Sequence, residues 1–243
     1  MTLPILAAIV LLAGIAACIQ SLAGFGSSLF IVPLLAVLIG PRHAVFLANL
    51  ISAAVSLIQV VHLRRAVEWR TQSLLLAGSC VGMPLGLVVL LVLSPTVLQV
   101  LIALTVVVFT LVLMRGVRLH DAGRIGDLAT GLVSGVLNTS TSMSGPPVVL
   151  YLQGKGMPPL AFRATATAFF LVTSVIAVVL LLAGGAFQPW LFGAAALAMP
   201  AVVGGRLLGN WIFRHVEDVH FRKIVFGVLL ATSGVAVATA LLG

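Results

Sequence analysis

Two stretches of this chain hold residue types that could bind a ligand, and both interrupt otherwise apolar sequence. The first reads Gln20-Ser21-Leu22-Ala23-Gly24-Phe25-Gly26-Ser27-Ser28, the second Asn138-Thr139-Ser140-Thr141-Ser142-Met143-Ser144-Gly145-Pro146-Pro147. Each supplies hydroxyls or amides, glycine that lets a ligand approach the backbone, and then a short apolar run that reads as a helix. The first turn of a helix has N–H groups without intrahelical partners and carries the positive end of the dipole. A polar break followed by a helix start is therefore an anion site built largely from backbone. The candidate contacts are Gln20, Gly24, Gly26, Ser27 and Ser28 in the first break, and Asn138, Thr139, Ser140, Ser142, Ser144 and Gly145 in the second. Phe25 and Met143 are the expected apolar walls or gates. Pro146 or Pro147 suits a first helical turn, where no N–H is required. A lone Ser or Gly would read as a helix-packing residue. Two such breaks, one in each half of the chain, favour a site.

Charge could come from two arginines that penetrate the apolar runs. Arg163 lies about one turn inside its run and aligns with Asn49 of the first half, so both join the expected substrate path. Arg206, with Asn210 one turn further on, is a second candidate charge. The planar guanidinium fork matches tetrahedral oxyanions and carboxylates, although arginines near a membrane edge also snorkel outward. Other chemistry finds little support. The five acids, Glu68, Asp121, Asp127, Glu217 and Asp218, lie in or beside basic loops, leaving no carboxylate at a helix centre for cation coupling. The five histidines fall at helix ends without metal-ligand spacing, so neither metal nor other cofactor is expected. Cys18 and Cys80 are far apart and read as small packing residues. An intramembrane serine hydrolase using Ser144 would need a base within reach, and no histidine lies at a helix centre.

These residues must be positioned by a membrane scaffold. Of 243 residues, 61% are apolar and 7% charged, with 13 basic against 5 acidic giving a formal charge of +8. A soluble domain carries roughly a quarter charged residues, which excludes a cytosolic enzyme. The bases are thinly spread, with no basic face or stacking motif, so no nucleic-acid partner is expected. Crossing the hydrocarbon takes about 20 apolar residues as a helix, and the absence of alternation excludes a barrel. Spanning helices are predicted over residues 3–22, 44–63, 72–93, 96–114, 159–182, 189–213 and 221–242, with shorter ones over 27–39, 125–137 and 146–152. Ile15-Ala16-Ala17-Cys18 resembles a lipoprotein cleavage box, but no charged region precedes it, so 3–22 reads as a span rather than a signal. Arg64, Arg65 and Arg70, then Arg115, Arg118 and Arg124, then Arg214, Arg222 and Lys223 mark three cytoplasmic loops. A multi-pass protein of the cell membrane with both termini outside follows, Arg42 being the one base on the outer side. Trp69, Trp190 and Trp211 fall near the predicted interfaces.

The resulting order is a broken helical hairpin and three spanning helices, twice over. The fold class is thus an all-α polytopic membrane protein of two inverted-topology repeats, with about 8–10 helical segments in total. Residues 1–114 form the first repeat, 115–124 a cytoplasmic linker and 125–243 the second. Pro33 with Gly40 matches Pro147 with Gly154, and Gly82 with Gly86 matches Gly205 with Gly209. Inverted repeats with interrupted helices are a transporter architecture, the substrate lying near the midplane. Gly78, Gly82 and Gly86, Gly131 and Gly135, and Gly205 and Gly209 are spaced as helix–helix contacts.

At this point the chain resembles the TauE/SafE sulfite-exporter family. The resemblance rests on Gly24-Phe25-Gly26-Ser27-Ser28 with Pro33-Leu34-Leu35 and Gly40, and on Ser144-Gly145-Pro146-Pro147 with Gly154. Val67-Glu68-Trp69-Arg70 and the Gly204–Gly209 run support it. It implies export of sulfur-containing anions, sulfite or organosulfonates such as sulfoacetate, with the broken-helix residues on the substrate. The hydroxyl-rich Asn138–Ser142 stretch departs from the glycine-rich family pattern and implies more side-chain donors. The expected function is alternating-access export aided by the membrane potential, with a small anion and the lipid bilayer as partners; a homo-oligomer is compatible with the sequence. An anion channel, or an importer of another oxyanion or carboxylate, is the alternative.

Overall fold

A computed structural model of the chain describes residues 3–23, 27–117, 121–185 and 188–213. Their helices are α1 (Leu3–Ala23), α2 (Ser27–Ile39), α3 (Pro41–Leu63), α4 (Trp69–Val92), α5 (Pro95–Met114), α6 (Gly123–Thr141), α7 (Gly145–Gly154), α8 (Pro159–Ala183) and α9 (Trp190–Phe213), with a 3₁₀ turn at Arg64–Ala66. Among the described residues there is no strand, and the all-α expectation holds. Six of the helices, all but α2, α6 and α7, contain a stretch long and apolar enough to cross a membrane. The segment expected over 221–242 lies outside the described residues.

Local chemistry explains the helix ends. Pro41, Pro95 and Pro159 each occupy a first helical position, where a fixed φ helps and no N–H is needed. Ser94 caps α5 by accepting from the Val97 amide at 3.4 Å. Most predicted bounds agree within a few residues. The one substantive difference is α6, which runs through Thr141 instead of ending at residue 137. Ser140 Oγ donates to the Val136 carbonyl at 2.7 Å and Thr141 Oγ1 to that of Leu137 at 2.8 Å. With their hydroxyls folded back onto the preceding turn, these polar residues continue a helix that the sequence pattern breaks too early.

Two helix pairs approach to backbone contact. Along α4, a methyl group on Gly78, Gly82 or Gly86 would overlap the carbonyls of Leu128, Leu132 or Val136 on α6. Gly131 and Gly135 of α6 meet the Leu75 and Ser79 carbonyls of α4 in return. On the other flank, Gly205 of α9 abuts the Gly14 carbonyl of α1 and Gly209 that of Cys18. The glycines predicted as contacts are therefore contacts. Cys80 departs from its expected packing role: it is exposed, while Cys18 is half-buried.

The packing exchanges the two halves. α1 lies along α9 and α6 along α4, α3 crosses α8, and α3 touches α9 as α8 touches α4. The ends of α1 and α6, the starts of α2 and α7, and the starts of α3 and α8 are each separated by 118 residues. At this spacing Asn49 corresponds to Thr167, whereas the 114-residue match of Pro33 with Pro147 sets it against Arg163. Phe46, Ile31, Leu35 and Phe169 are buried among these helices, whereas Leu11, Val61, Val81, Val88, Leu104 and Leu207 are exposed. An apolar exterior of this kind suits lipid, not water.

Candidate functional site

The two interruptions come together. Gln20 in the last turn of α1, Ser27, Ser28 and Leu29 in the first turn of α2, Ser142, Met143 and Ser144 between α6 and α7, and Gly145 and Pro146 at the start of α7 line one small cavity. Ser52 of α3 and Phe170 of α8 complete its wall, each the twelfth residue of its helix. The cavity therefore sits near the middle of two spanning helices. Gly24, Phe25 and Gly26 lie outside the described residues.

Backbone conformation at the second interruption is unusual. Ser142 adopts a left-handed conformation (φ 59°, ψ 21°) and is the one non-glycine residue with positive φ among those described. Its amide donates to the Asn138 carbonyl at 2.8 Å, and the Met143 amide to that of Leu137 at 3.3 Å, closing the end of α6. Glycine is the default in this position, so a serine there points to a use for its side chain. That hydroxyl is buried and has no hydrogen-bond partner, and neither has the Gln20 Oε1 across the cavity. Buried polar atoms are ordinarily paired, so these two leave hydrogen-bonding capacity free beside the cavity.

Electrostatics come from the helix starts. α2 and α7 both begin at the cavity, and each helix start carries about +0.5 of an elementary charge. Pro146 and Pro147 remove two amides from the first turn of α7, so its direct donors there are the Ser144 and Gly145 amides. Among the described residues, no ionised side chain lines the cavity, whose volume is about 20 Å³. That is room for a single water.

Several predicted residues stand elsewhere. Asn49 is fully buried behind the break, its Nδ2 donating to the Val45 carbonyl at 2.9 Å and the Asn138 carbonyl at 3.4 Å. Asn138 Nδ2 donates to the Thr173 carbonyl at 3.0 Å, so the two amides tie α3, α6 and α8 together. Thr139 Oγ1 donates to the Met83 carbonyl at 2.6 Å and Ser140 Oγ to its own helix, and neither lines the cavity. Arg163 is exposed in the first turns of α8. Arg206 lies close enough to Arg163 to feel its charge, and both are outside the cavity wall.

Comparison with known proteins joins this geometry to a family. Residues 8–236 match the family described as Sulfite exporter TauE/SafE. The chain belongs to that family. TauE/SafE proteins are membrane transporters rather than enzymes. The chain is 28% identical over 171 residues, 68% of its length and 66% of the relative's, to a protein of Cupriavidus necator named Probable sulfite/organosulfonate exporter TauE. It is 30% identical over 181 residues, 71% of its length and 73% of the relative's, to one of Comamonas testosteroni named Probable inner membrane transporter protein TsaS. No solved structure gives a significant match.

In this TauE/SafE member, Leu29, Ser52 and Phe170 are wall residues that sequence reasoning missed, and Pro146, expected only as a helix-start residue, joins them. A signal for Ser52 was present. Asn49, Ser52, Ser56 and Gln59 recur at helical spacing on one buried face of an otherwise apolar helix. Phe170 follows from Ser52 only in the 118-residue register. Burial of Asp127 was also missed: it lies beneath the surface of α6, its carboxylate 2.8 Å from Lys155 Nζ.

Proposed function

We propose that this TauE/SafE member exports a small sulfur oxyanion, sulfite or an organosulfonate such as sulfoacetate, across the cell membrane by alternating access. One observation carries the reading: half-helices from both halves of the chain start at a single mid-depth cavity that holds unpartnered polar atoms. Two helix starts of about half a charge each sum to roughly one positive charge, the complement of a monoanion. Gln20, Ser27, Ser28, Ser52, Ser142 and Ser144 would orient its oxygens, with Gly145 admitting it to the backbone and Met143 and Phe170 as apolar walls. Asn49, Asn138, Thr139 and Ser140 support the break from behind. Arg163 and Arg206 would gather anions at the end of the molecule that bears the basic loops.

The proposed mechanism uses the symmetry. Residues 1–114 and 125–243 are taken as inverted repeats joined by 115–124, and the exchanged packing of α1 with α9 and α6 with α4 supports this. The cavity has room for about one water, so in this reading the α2 and α7 starts separate on one side or the other to load the anion. An inside-negative membrane potential would favour outward movement of the anion by about 2.3 kcal/mol per charge per 100 mV. The name of the Cupriavidus relative points to the same substrates, and that of the Comamonas relative to an inner membrane.

The test is efflux of sulfoacetate from proteoliposomes under an imposed inside-negative potential. Efflux is expected to saturate with substrate, to accelerate with the potential, and to fall at least tenfold in Ser27→Ala/Ser144→Ala protein that remains folded. Undiminished efflux in that variant removes the site. Flux that never saturates replaces the carrier by a channel.

A further inference from the structure

A second, larger cavity of about 380 Å³ opens at the ends of the helices opposite the basic loops, where α2 meets α3, α4 meets α5 and α8 leads toward α9. That volume is in the range of small-molecule sites. Its wall includes Gly40, Arg42, His43, Leu91, Pro95 and Gln188. The starts of α3 and α5 face it together with the ends of α4 and α8. Their partial charges offset one another, and the net charge left is that of Arg42.

Arg42 is half-buried and held by its outer nitrogen. Nη2 donates to the Leu91 carbonyl at 2.8 Å and lies 3.4 Å from that of Leu93, at the C-terminal end of α4. Capping α4 accounts for that nitrogen alone. Nε is buried without a partner, and the ion pairs among the described residues all belong to Lys155. The half-buried guanidinium stands at the wall of an open cavity with no counter-ion among the described residues, so an anion there would complete a charge-assisted contact. His43 is fixed beside it, its Nδ1 2.9 Å from the Ile39 carbonyl and its ring edge-on to Trp190. The fixing of the guanidinium and imidazole lowers the ordering needed on binding.

We propose that this cavity is a second station for a single oxyanion group of the sulfonate or phosphate type, with Arg42 as its charge. Its place on an export path rests on the function proposed above; its affinity for an oxyanion does not. The same chemistry is carried by a free anion and by a lipid headgroup, and the test separates them.

In a background of Cys18→Ala and Cys80→Ala, a reporter thiol is placed in the wall by Ile39→Cys and, on the same face but outside the cavity, by Thr96→Cys. Both are exposed in phosphatidylcholine nanodiscs to an anionic sulfonatoethyl and to a cationic trimethylammoniumethyl methanethiosulfonate. Charged clefts raise on-rates of opposite charges by about 10-fold or more. The anionic-to-cationic rate ratio is therefore expected to be at least about tenfold higher for Ile39→Cys than for Thr96→Cys. Arg42→Gln should abolish the difference, and Arg42→Lys, which keeps the charge, should preserve most of it. Methanesulfonate slowing the Ile39→Cys reaction in phosphatidylcholine assigns the site to a free anion. Slowing produced only by added phosphatidylglycerol assigns it to a headgroup. Equal ratios at the two reporters, or no slowing by either anion, overturns the proposal. If Arg42→Gln does not fold, the protection measurement decides alone. The readout needs no transport, so it can fail while the mid-depth site stands, and the reverse.

Discussion

Removing one member of the Lys155–Asp127 pair should destabilise the protein far more than removing both. Lys155 Nζ lies 2.8 Å from Asp127 Oδ1, and the two side chains are 14% and 5% exposed. Deleting one partner of a buried pair typically costs about 3–5 kcal/mol, whereas apolar replacement of both is often neutral. The lower end applies here. Without Asp127, Lys155 keeps the Thr71 hydroxyl at 3.2 Å and Asp121 at 3.9 Å. About 3 kcal/mol corresponds to a fall in Tm of roughly 6–12 °C for a chain of this size. Asp127→Ala and Lys155→Met should each show that fall in nanodiscs, read by thermal unfolding, while the double variant stays within about 2 kcal/mol of the parent. The pair also ties the end of α7 to α6, reinforced by the Tyr151 hydroxyl donating to the Gly123 carbonyl at 3.0 Å. The start of α7 lines the mid-depth cavity about 15 Å away. Additive losses in the double variant would refute the claim that the two charges depend on each other.

Three further outcomes separate binding from scaffolding. Thr139→Val removes the donation to Met83 and should lower stability by about 1 kcal/mol with methanesulfonate affinity unchanged, whereas Ser142→Ala, which has no bond to lose, should leave stability intact and weaken binding; calorimetry on both variants checks this. Gly82→Ala and Gly205→Ala force backbones apart and should cost about 1–3 kcal/mol each, while Gly193→Ala, with nothing within 4 Å, should cost none, as read by Tm. Arg163→Gln should preserve equilibrium affinity but reduce the initial rate of substrate loading at low salt, with the difference vanishing at high salt.

The starts of α2 and α7 were legible because Gly, Ser and Pro interrupt long apolar runs, and in a membrane such interruptions have few physical explanations. The residues 27–39 predicted for α2 are those observed. The reach of the second break was not legible. Asn138 to Thr141 read as loop by composition, yet Ser140 and Thr141 bond to their own helix and Asn138 and Thr139 bond to neighbouring helices that the local pattern does not reveal. Arg163 shows a second limit. Depth along a helix can be counted, but the face a side chain occupies depends on packing, and in α8 it is Thr165, Thr167 and Phe169 that turn inward. Asp127 shows a third: position beside a basic loop suggested solvent, while the partner that buries it, Lys155, arrives from 28 residues away.

The proposed site contains no fixed charge, and that bears on release. A charge-assisted hydrogen bond contributes about 1.5–3 kcal/mol, whereas a helix end contributes about 0.3–1 kcal/mol, up to about 2 in buried settings. The membrane potential supplies about 2.3 kcal/mol per charge at 100 mV. That matches two helix ends at their ordinary strength, about 0.6–2 kcal/mol together, but not a guanidinium fork and its companion bonds together. Arg42, Arg163 and Arg206 accordingly lie away from the mid-depth wall. Placing a cation in that wall, as in Ser52→Lys, should tighten methanesulfonate binding about tenfold or more while slowing sulfoacetate efflux. Tighter binding accompanied by faster efflux would show that release does not limit the cycle and that the neutrality of the wall has another cause.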